Sequence, residues 1–293
     1  MKVYKGKTFA DVYKLSLLDV LNNPEYETSP RGSLIREITN AALVIENPEQ
    51  CLYLNDRRSS QFKYIAAELI WYFSGHNDTS FISKFAKFWE SIDNGNGTVN
   101  SAYGNLIFRE KNRFNISQYQ WALESLIKDK DSRQAILHFN KPSHQWEGNK
   151  DFVCTLTGVL QIRDSSLNFT IDMRSNDLIL GTPTDAAFFV VLQNQMYCHL
   201  KKYYPDLKIG TYTHIAHSLH IYERHFGLVE EMLKNEFVPI EIPNINCDLI
   251  EMDGSPMEAI IKIKECIERD INIKNDVKFG DSLYDWIIDN VFI

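Results

Sequence analysis

The residues whose types and spacing point most directly to chemistry are a cysteine and an arginine in consecutive strand-like segments. Cys154 lies in FVCTLTGVLQIRD, and Arg174 ends the apolar part of SLNFTIDMRSND. Asp164-Ser165-Ser166 is a good hairpin turn between them, which brings Arg174 close to the register of Cys154. A cysteine attacks as its thiolate, which a cationic neighbour stabilises. The pair therefore indicates nucleophilic catalysis, although an isolated cysteine in such a strand is more often an inert core residue.

A second cluster lies in IDMRSNDLILGTPTDAAFF, which passes from a strand through a Gly and a Pro into a helix. Ser175, Asn176 and Asp177 directly follow the arginine, and Asp185 lies on the helical side. Each has an ordinary explanation alone. Serine and asparagine form turns, Asp177 can cap a turn or a helix, and Asp185 can be a helix N-cap. What distinguishes these residues is their combination and their order along the chain.

Three further polar side chains lie on predicted regular elements. Glu68 lies in AAELIWYF, where a carboxylate among apolar residues is less easily dismissed, although the polar edge of a helix would explain it. His220 and Tyr222 in SLHIY point to the same face of a strand because they are two residues apart. An ordinary half-buried pair would account for these two equally well.

The charge balance limits the class of partner. The 293 residues carry a net charge of −8 and have a pI of about 5.5, which argues against a broad basic face for duplex nucleic acid. A small anionic ligand is still compatible with this charge, because a few clustered arginines can hold one phosphate inside an acidic protein.

The cysteines and the N-terminal sequence indicate a reducing compartment. The cysteines are Cys51, Cys154, Cys198, Cys247 and Cys266. They are odd in number and scattered without a C-x-x-C pair, which argues against zinc and against a disulfide framework. MKVYKGKTFADVYK lacks the apolar core of a signal peptide, and no run approaches a membrane-spanning length. We therefore expect a cytoplasmic protein, in a bacterial cell or an infected host, with neither a metal nor a membrane partner.

The pattern of elements indicates one α+β domain over residues 1–293, because no repeat or Pro/Gly/Ser linker divides the chain. Helices are predicted over 8–22, SSQFKYIAAELIWYFSG, NISQYQWALESLIKD, 185–203 and 218–235, with another beyond about residue 254. Strands are predicted in SPRGSLIREITNAALVIENP, RQAILHFN, the two hairpin segments and KIGTYTHIAHSLHIY. This mixed order favours α+β over a doubly wound parallel sheet.

These segments, in this order, resemble the thymidylate synthase superfamily from about residue 29 to 226. The matching strings are SPRGSLIRE, ELIWYFSG, FWESID with NSAYGN, DSRQAIL, FVCT, MRSNDLILGTP and SLHIY. MRSNDLILGTP is the most specific of them. The resemblance implies a thymidylate synthase-like fold, in which helices flank a mixed, mostly antiparallel sheet and one sheet face forms a dimer interface. It also implies one-carbon transfer to a pyrimidine nucleotide, with 5,10-methylenetetrahydrofolate as co-substrate and no metal.

The same resemblance implies a role for each matched residue. The implied catalytic residues are Cys154, Glu68, Asp185 and Tyr103. The implied nucleotide-binding residues are Arg31, Arg174 and Ser175 at the 5′-phosphate, Arg133 at the phosphate of a partner subunit, His220 and Tyr222 at the sugar 3′-hydroxyl, and Asn176, Asp177 and Gly181. The implied folate-side residues are Trp89, Asp177 and Gly181. Because Arg133 would act across an interface, a homodimer is implied.

The chain departs from the synthase pattern at several positions. Family synthases have Asn at the position of Asp185, His at Thr155, and two adjacent arginines at Arg133-Gln134. The second Trp of the Trp segment is Ile92, and SLYDWIIDNVFI has no clear counterpart of the synthase tail that closes over the folate. MRSND, FVCT, IRD and SLHIYERHFGLVEE are more similar to the phage deoxycytidylate hydroxymethylases, a branch of the same superfamily.

Asp185 is the departure that bears on the base. Uracil presents O4 as an acceptor and N3–H as a donor, which an asparagine amide matches with one donor and one acceptor. Cytosine reverses this edge, so an asparagine in the orientation that matches uracil no longer fits, whereas an aspartate accepts from the 4-amino group and can share a proton with N3. An unmatched buried polar group costs about 1–3 kcal/mol, which corresponds to a tenfold or greater preference. Asp185 therefore predicts dCMP over dUMP.

The predicted reaction is hydroxymethylation of dCMP. Cys154 would attack C6 and make C5 nucleophilic toward the one-carbon unit. Water would then add to the resulting exocyclic methylene group, with Glu68 as the proton relay. A synthase would deliver hydride instead, in a dry, closed folate site. Ile92 and the unfamiliar tail favour water.

Three alternatives stay open on the sequence. The first is a thymidylate synthase or a deoxyuridylate hydroxymethylase that acts on dUMP. The second is a hydroxymethylase of CMP in the synthesis of a nucleoside natural product, since one small side chain beside the 2′ position can decide the sugar. The third is a non-catalytic nucleotide- or RNA-binding relative, against which the intact Cys154 and Arg174 count.

Overall fold

A mixed eight-stranded sheet forms the centre of the computed structural model, which describes residues 1–244 and 248–292. In chain order the strands are β1 Lys2–Gly6, β2 Tyr26–Thr28, β3 Ile35–Ile45, β4 Leu52–Leu54, β5 Ile136–His138, β6 Thr155–Arg163, β7 Ser166–Met173, β8 Asn176–Asp177, β9 Lys208–Tyr222 and β10 Val238–Ile240. The large sheet has the order β1-β3-β9-β7-β6-β5, with β2 on β3 and β8 on β9. Strands β4 and β10 pair separately. Cys247 lies outside the described residues.

The helices pack around this sheet and on one another. They are α1 Phe9–Asn22, α2 Phe62–Ser74, α3 Thr79–Ile82, α4 Phe88–Ser91, α5 Gln118–Lys128, α6 Thr182–Lys201, α7 Phe226–Leu233, α8 Glu258–Glu268 and α9 Ser282–Val291. Thr8 caps α1 in a reciprocal capping box with Asp11, as the sequence predicts. Gly75, in the left-handed region, ends α2. Among the described helices, none is long and apolar enough to span a membrane.

The sheet confirms the predicted α+β class and combines both kinds of pairing. Strands β3 and β9, β5 and β6, and β6 and β7 pair antiparallel, whereas β7 and β9 pair parallel. The parallel pair follows from the chain path, because the 20-residue helix α6 crosses back between the two strands. Asp164 and Ser165 both have positive φ, which gives the β6–β7 hairpin a tight turn that closes on the pair Arg163 and Ser166.

Some predicted element bounds were wrong. Residues 218–222 fall within both the predicted strand KIGTYTHIAHSLHIY and the predicted helix 218–235. The strand is confirmed, because these residues pair with β3 and β8 as far as Tyr222, and the helix begins only at Phe226. Helix α6 begins at Thr182, three residues earlier than predicted, with Pro183 in its first turn. The segment RQAILHFN contributes only the short strand β5. The tail contains two helices, α8 and α9.

The two faces of the sheet have different surroundings. Phe169 of β7 and Tyr212 of β9 are buried on the face that meets α6, where Phe169 contacts Phe189. The alternate residues form half-exposed rows on the opposite face. One such row is Val159, Thr170, Thr213 and Val44, and it crosses β6, β7, β9 and β3. A half-exposed apolar and hydroxyl surface of this kind is available for association.

Candidate active site

The β6–β7 hairpin brings Cys154 and Arg174 together, as the sequence predicts. Cys154 immediately precedes β6, and Arg174 immediately follows β7. The backbone N–H of Arg174 donates to the Cys154 carbonyl oxygen at 2.9 Å, and Arg174 Nη2 lies 3.5 Å from Cys154 Sγ. Cys154 is half-buried, and the Arg174 guanidinium contacts its thiol directly.

The guanidinium of Arg174 is held in place by backbone oxygens. Its Nε donates to the Val153 carbonyl at 3.1 Å, its Nη2 donates to the Phe152 carbonyl, and its Cζ atom lies 4.9 Å from the centroid of the Phe152 ring. Burial raises the pKa of the Cys154 thiol, while the charges of Arg174 and Arg31 act to lower it. The two arginines therefore limit the cost of forming a thiolate.

Asp185 lies in the first turn of α6 and is oriented by Asn176. Asn176 Nδ2 donates to Asp185 Oδ2 at 2.9 Å, and Asn176 Oδ1 accepts a hydrogen bond from the Thr182 hydroxyl. The hydroxyl bond fixes which end of the Asn176 amide faces Asp185. The N-cap residue of α6 is Gly181, and no side-chain hydrogen bond caps this end of the helix. The interpretation of Asp185 as an N-cap is therefore wrong. Burial raises the pKa of Asp185 to about 7.

Gly181 packs closely against Asn176 and Asp185. A Cβ atom at Gly181 would lie 3.2 Å from Asn176 Nδ2, 3.2 Å from Asp185 Oδ2 and 3.3 Å from the Asp177 carbonyl oxygen. Any larger side chain would therefore push the amide and the carboxyl apart. Asp177 itself caps the turn before the helix, since its Oδ1 accepts from the backbone N–H of Ile179 at 2.7 Å.

Glu68 lies across the site on α2 and is 5% exposed. Its Oε1 accepts hydrogen bonds from the hydroxyl of Tyr64 at 2.8 Å and from that of Tyr72 at 3.3 Å. Trp89 Nε1 donates to the same Tyr64 hydroxyl at 3.0 Å. Burial, followed by the negative charge of Asp185, raises the pKa of Glu68 to about 8. The site thus contains two carboxyl groups that titrate near neutrality.

Tyr103 and Thr155 lie beside Cys154 and join their hydroxyl groups there. The Thr155 hydroxyl donates to the Tyr103 hydroxyl at 2.8 Å. The Tyr103 ring stacks on Tyr72 and on Phe189, with centroids 5.3 Å and 5.6 Å away. Thr155, where the sequence departs from the synthase pattern, therefore holds a phenol at the site.

The residues predicted to bind the sugar lie on β9, beside the polar stretch. The pairing of β8 with β9 places Asp177 opposite His220. The rings of His220 and Tyr222 lie 5.2 Å apart, edge to face. Burial lowers the pKa of His220, and the charge of Asp177 opposes that shift. His220 and Tyr222 thus share one face of the strand, as the sequence predicts.

The two remaining arginines differ in position. Arg31 is exposed in a turn between β2 and β3, with a φ of 54°. Its positive charge acts to lower the pKa of the Cys154 thiol. An arginine in the left-handed region is held there at a cost in strain, which is common at binding sites. Arg133 is exposed before β5 and lines a surface cavity of about 810 Å³ with Trp121 and Lys141. The structure does not bring Arg133 into the cluster around Cys154.

The sequence prediction missed three residues of this site: Tyr64, Tyr72 and Thr182. The two tyrosines lie four residues before and four residues after Glu68 on the same helix. That spacing places all three side chains along one helix face and could have revealed them. Thr182 had no such signal, because its contact with Asn176 depends on the turn between β8 and α6. Within residues 1–244 and 248–292, no group of three or more His, Cys, Asp or Glu residues is arranged to hold a metal.

The burial of Glu68 predicts that stability falls as pH rises. The carboxyl binds its proton more tightly in the folded protein, at a pKa of about 8, than at the reference value of 4.5. Its contribution to stability is therefore full below about pH 4.5 and is lost as pH rises through 8. We expect Glu68→Gln to raise Tm by roughly 2–6 °C at pH 8 and to change it little at pH 4.5. Thermal unfolding monitored by circular dichroism measures both values.

A matched control is Glu90→Gln, which makes the same chemical change at an exposed position of α4. The two variants should separate at pH 8 and converge at low pH. An equal Tm change for both at every pH would contradict a buried, proton-binding Glu68.

Comparisons with known proteins agree with this geometry. The family model described as thymidylate synthase matches residues 11–275. Deoxycytidylate 5-hydroxymethyltransferase of Enterobacteria phage T6 is 32% identical over 228 residues, which cover 75% of this chain and 89% of the phage protein. Deoxyuridylate hydroxymethyltransferase of Bacillus phage SP01 is 26% identical over 254 residues, which cover 82% of this chain and 64% of the phage protein. The structure of thermostable thymidylate synthase A from Bacillus subtilis has a TM-score of 0.67 at 19% identity, covering 85% of this chain and 91% of that one.

Proposed function

The chain belongs to the thymidylate synthase family, and on that premise we propose that it hydroxymethylates dCMP at C5. The observation that carries the proposal is Asp185, a carboxyl oriented by Asn176 at the position where family synthases have asparagine. The 32% identity to the phage T6 deoxycytidylate enzyme supports the same substrate. Nucleotide and folate pools place such a reaction in the cytoplasm of a bacterial or infected cell.

Asp185 matches cytosine in its protonated form. Asn176 donates to Oδ2, and this oxygen is the one proposed to face N3 of cytosine and to share a proton with it. Oδ1 then accepts a hydrogen bond from the 4-amino group. The raised pKa of about 7 keeps this form populated near neutral pH. Uracil offers N3–H and O4 instead, which leaves two donors facing one another at N3.

Cys154 is the nucleophile of the proposed reaction. Its thiolate adds to C6, which interrupts the conjugation of the ring and makes C5 enamine-like, while hydrogen bonding from Asp185 to N3 takes up the developing charge. C5 then attacks the one-carbon unit of methylenetetrahydrofolate. Loss of the C5 proton and of tetrahydrofolate leaves an exocyclic methylene group on the nucleotide. Glu68 takes a proton from the water that adds to this group, and release of Cys154 restores the aromatic ring.

The remaining site residues bind the two substrates. Arg31, Arg174 and Ser175 hold the 5′-phosphate through charge-assisted hydrogen bonds. His220 and Tyr222 hold the sugar 3′-hydroxyl from their shared strand face. The folate substrate supplies the one-carbon unit, and a flat aromatic surface suits its ring system: Trp89 is buried at 7% exposure, and its neighbour Phe88 is 64% exposed. Asp177 and Gly181 line the folate side of the same turn.

A homodimer completes the proposed phosphate site. Arg133 stands apart from Cys154 within one chain, so it would act in the site of a second copy. The half-exposed face of the sheet, with Val159, Thr170, Thr213 and Val44, is the surface proposed to meet that copy. Covering it would remove apolar and hydroxyl groups from water in the middle of the sheet, where few charged residues oppose association.

A complementation experiment tests the shared site. Arg133→Ala is expected to lower kcat/KM for dCMP roughly 10–100-fold, since one charge-assisted contact is lost, and Cys154→Ala removes the nucleophile. A heterodimer of the two variants, isolated with two affinity tags, has one intact site and should recover about half the wild-type kcat/KM. The assay is product formation per heterodimer. An inactive heterodimer, or full activity in the Arg133→Ala homodimer, would contradict the shared site.

The substrate and product are tested together. The protein is incubated with methylenetetrahydrofolate and, separately, dCMP, dUMP or CMP; product mass is determined by mass spectrometry, and dihydrofolate is followed by absorbance. A hydroxymethyl product from dCMP without dihydrofolate is expected. A methyl product with dihydrofolate would overturn the hydroxymethylation. A preference for dUMP or CMP would overturn the proposed base or sugar, respectively.

A further inference from the structure

Glu68 is held asymmetrically by two side chains that the reaction scheme above does not use. Both phenol hydroxyls, from Tyr64 and Tyr72, approach the same oxygen, Oε1. The tyrosines flank Glu68 by one helical turn on each side of α2, so the backbone itself sets their spacing. Tyr64 is half-buried and Tyr72 is 3% exposed, which limits competition from bulk water.

Trp89 determines the direction of these hydrogen bonds. An indole N–H can only donate, so the Tyr64 oxygen must accept from Trp89 Nε1 at 3.0 Å. The hydroxyl proton of Tyr64 is then donated to Glu68 Oε1, 2.8 Å away. The chain of donors therefore runs in one direction, from Trp89 to Tyr64 to Glu68.

We propose that Tyr64 and Tyr72 are positioning residues that keep Glu68 Oε1 as a permanent acceptor, so that Oε2 is the oxygen that exchanges protons with the reacting water. With two donors on Oε1, both of its lone pairs in the carboxyl plane are occupied, and a proton on Glu68 goes to Oε2. Trp89 also belongs to the proposed folate site. The orientation of the Glu68 carboxyl and the binding of the folate therefore depend on the same residue. The inference rests on the proposed function for the identity of the reaction.

The electrostatic surroundings of Glu68 make the two phenols necessary. Asp185 faces Glu68 from α6, and its negative charge together with burial raises the pKa of the Glu68 carboxyl. The hydrogen bonds from Tyr64 and Tyr72 act in the opposite direction and lower it. Tyr103, from the segment between α4 and α5, also faces Glu68, and its own pKa is raised well above the usual value, so it stays neutral. The two phenols therefore hold the pKa of Glu68 below the value that burial and the charge of Asp185 alone would give it.

The test compares Tyr64→Phe and Tyr72→Phe with Tyr204→Phe as a matched control. The Tyr204 hydroxyl donates to backbone carbonyls of α5, so its removal deletes a phenol hydrogen bond elsewhere in the protein. Infrared difference spectra of the free enzyme across pH report the protonated carboxyl band of Glu68, assigned by its loss in Glu68→Gln. Circular dichroism and Tm establish that each variant folds.

We expect the pKa of Glu68 to rise by about one unit in Tyr64→Phe and by a smaller amount in Tyr72→Phe, whose bond is longer. The limb of the pH–rate profile assigned to Glu68 should move upward by the same amount. Tyr204→Phe should leave both unchanged. A folded Tyr64→Phe protein in which Glu68 titrates as in the wild type would overturn the proposal. Because the titration needs no substrate, it is distinguishable from a failure of the wild type to hydroxymethylate dCMP.

Discussion

Replacing Cys154 with serine is expected to lower kcat for dCMP at least about a thousandfold and to leave the dissociation constant of dCMP within a few-fold of wild type. A serine hydroxyl beside Arg174 is far less ionised than a thiol near neutral pH and attacks C6 poorly. The phosphate, sugar and base contacts belong to other residues. Product formation measured by mass spectrometry and binding measured by calorimetry separate the two effects.

Cys266→Ser is the matched control, because Cys266 is a half-buried cysteine on α8 that packs against the core outside the site. It should keep wild-type turnover. If Cys154→Ser retained the activity of the wild type, C6 would have to be attacked by another group, and the non-catalytic or non-covalent alternatives would regain support. A large loss of dCMP affinity in Cys154→Ser would instead assign a binding role to the thiol.

Replacing Asp185 with asparagine is expected to exchange the base preference. Held by the Asn176 amide through its carbonyl oxygen, an asparagine at position 185 mismatches cytosine and matches uracil, and each unmatched polar group is worth about 1–3 kcal/mol. We therefore expect kcat/KM to fall about 10–100-fold for dCMP and to rise by a similar factor for dUMP. Competition between equal concentrations of the two nucleotides measures the ratio directly.

The same variant also has a pH signature. Asp185 raises the pKa of Glu68 through its negative charge, and asparagine carries none. The limb of the pH–rate profile assigned to Glu68 should therefore move to lower pH in Asp185→Asn. Asp164→Asn, at the exposed hairpin turn, is the matched control and should change neither the preference nor the profile. An unaltered dCMP preference in Asp185→Asn would show that other groups select the base.

Local contacts of the site were predictable because short-range rules determine them. The hairpin between β6 and β7 has a two-residue turn, so the spacing of Cys154 and Arg174 along the chain sets their distance. The face shared by His220 and Tyr222 follows from the period of a strand. Glu68 lies at the centre of an apolar helix, and the flanking tyrosines follow from helical spacing once Glu68 is taken as the reference.

Longer-range features could not be predicted in the same way. The parallel pairing of β7 with β9 depends on how α6 folds back over the sheet, which no local pattern records. Residues 218–222 have apolar positions compatible with a helix, but hydrogen bonding to β3 and β8 on both sides keeps them extended. The orientation of Asp185 depends on Asn176 and Thr182, which meet only through the turn that Gly181 permits.

The hydrogen bond from Asn176 to Asp185 has an evolutionary consequence. Codons for aspartate and asparagine differ by a single base, and an asparagine at position 185 could present its carbonyl oxygen to the same Asn176 amide. The network that orients the side chain therefore tolerates either residue without rebuilding the turn. A lineage with this scaffold lies one point mutation from a change of pyrimidine, so nucleotide preference can diverge among close relatives faster than the fold or the thiol chemistry.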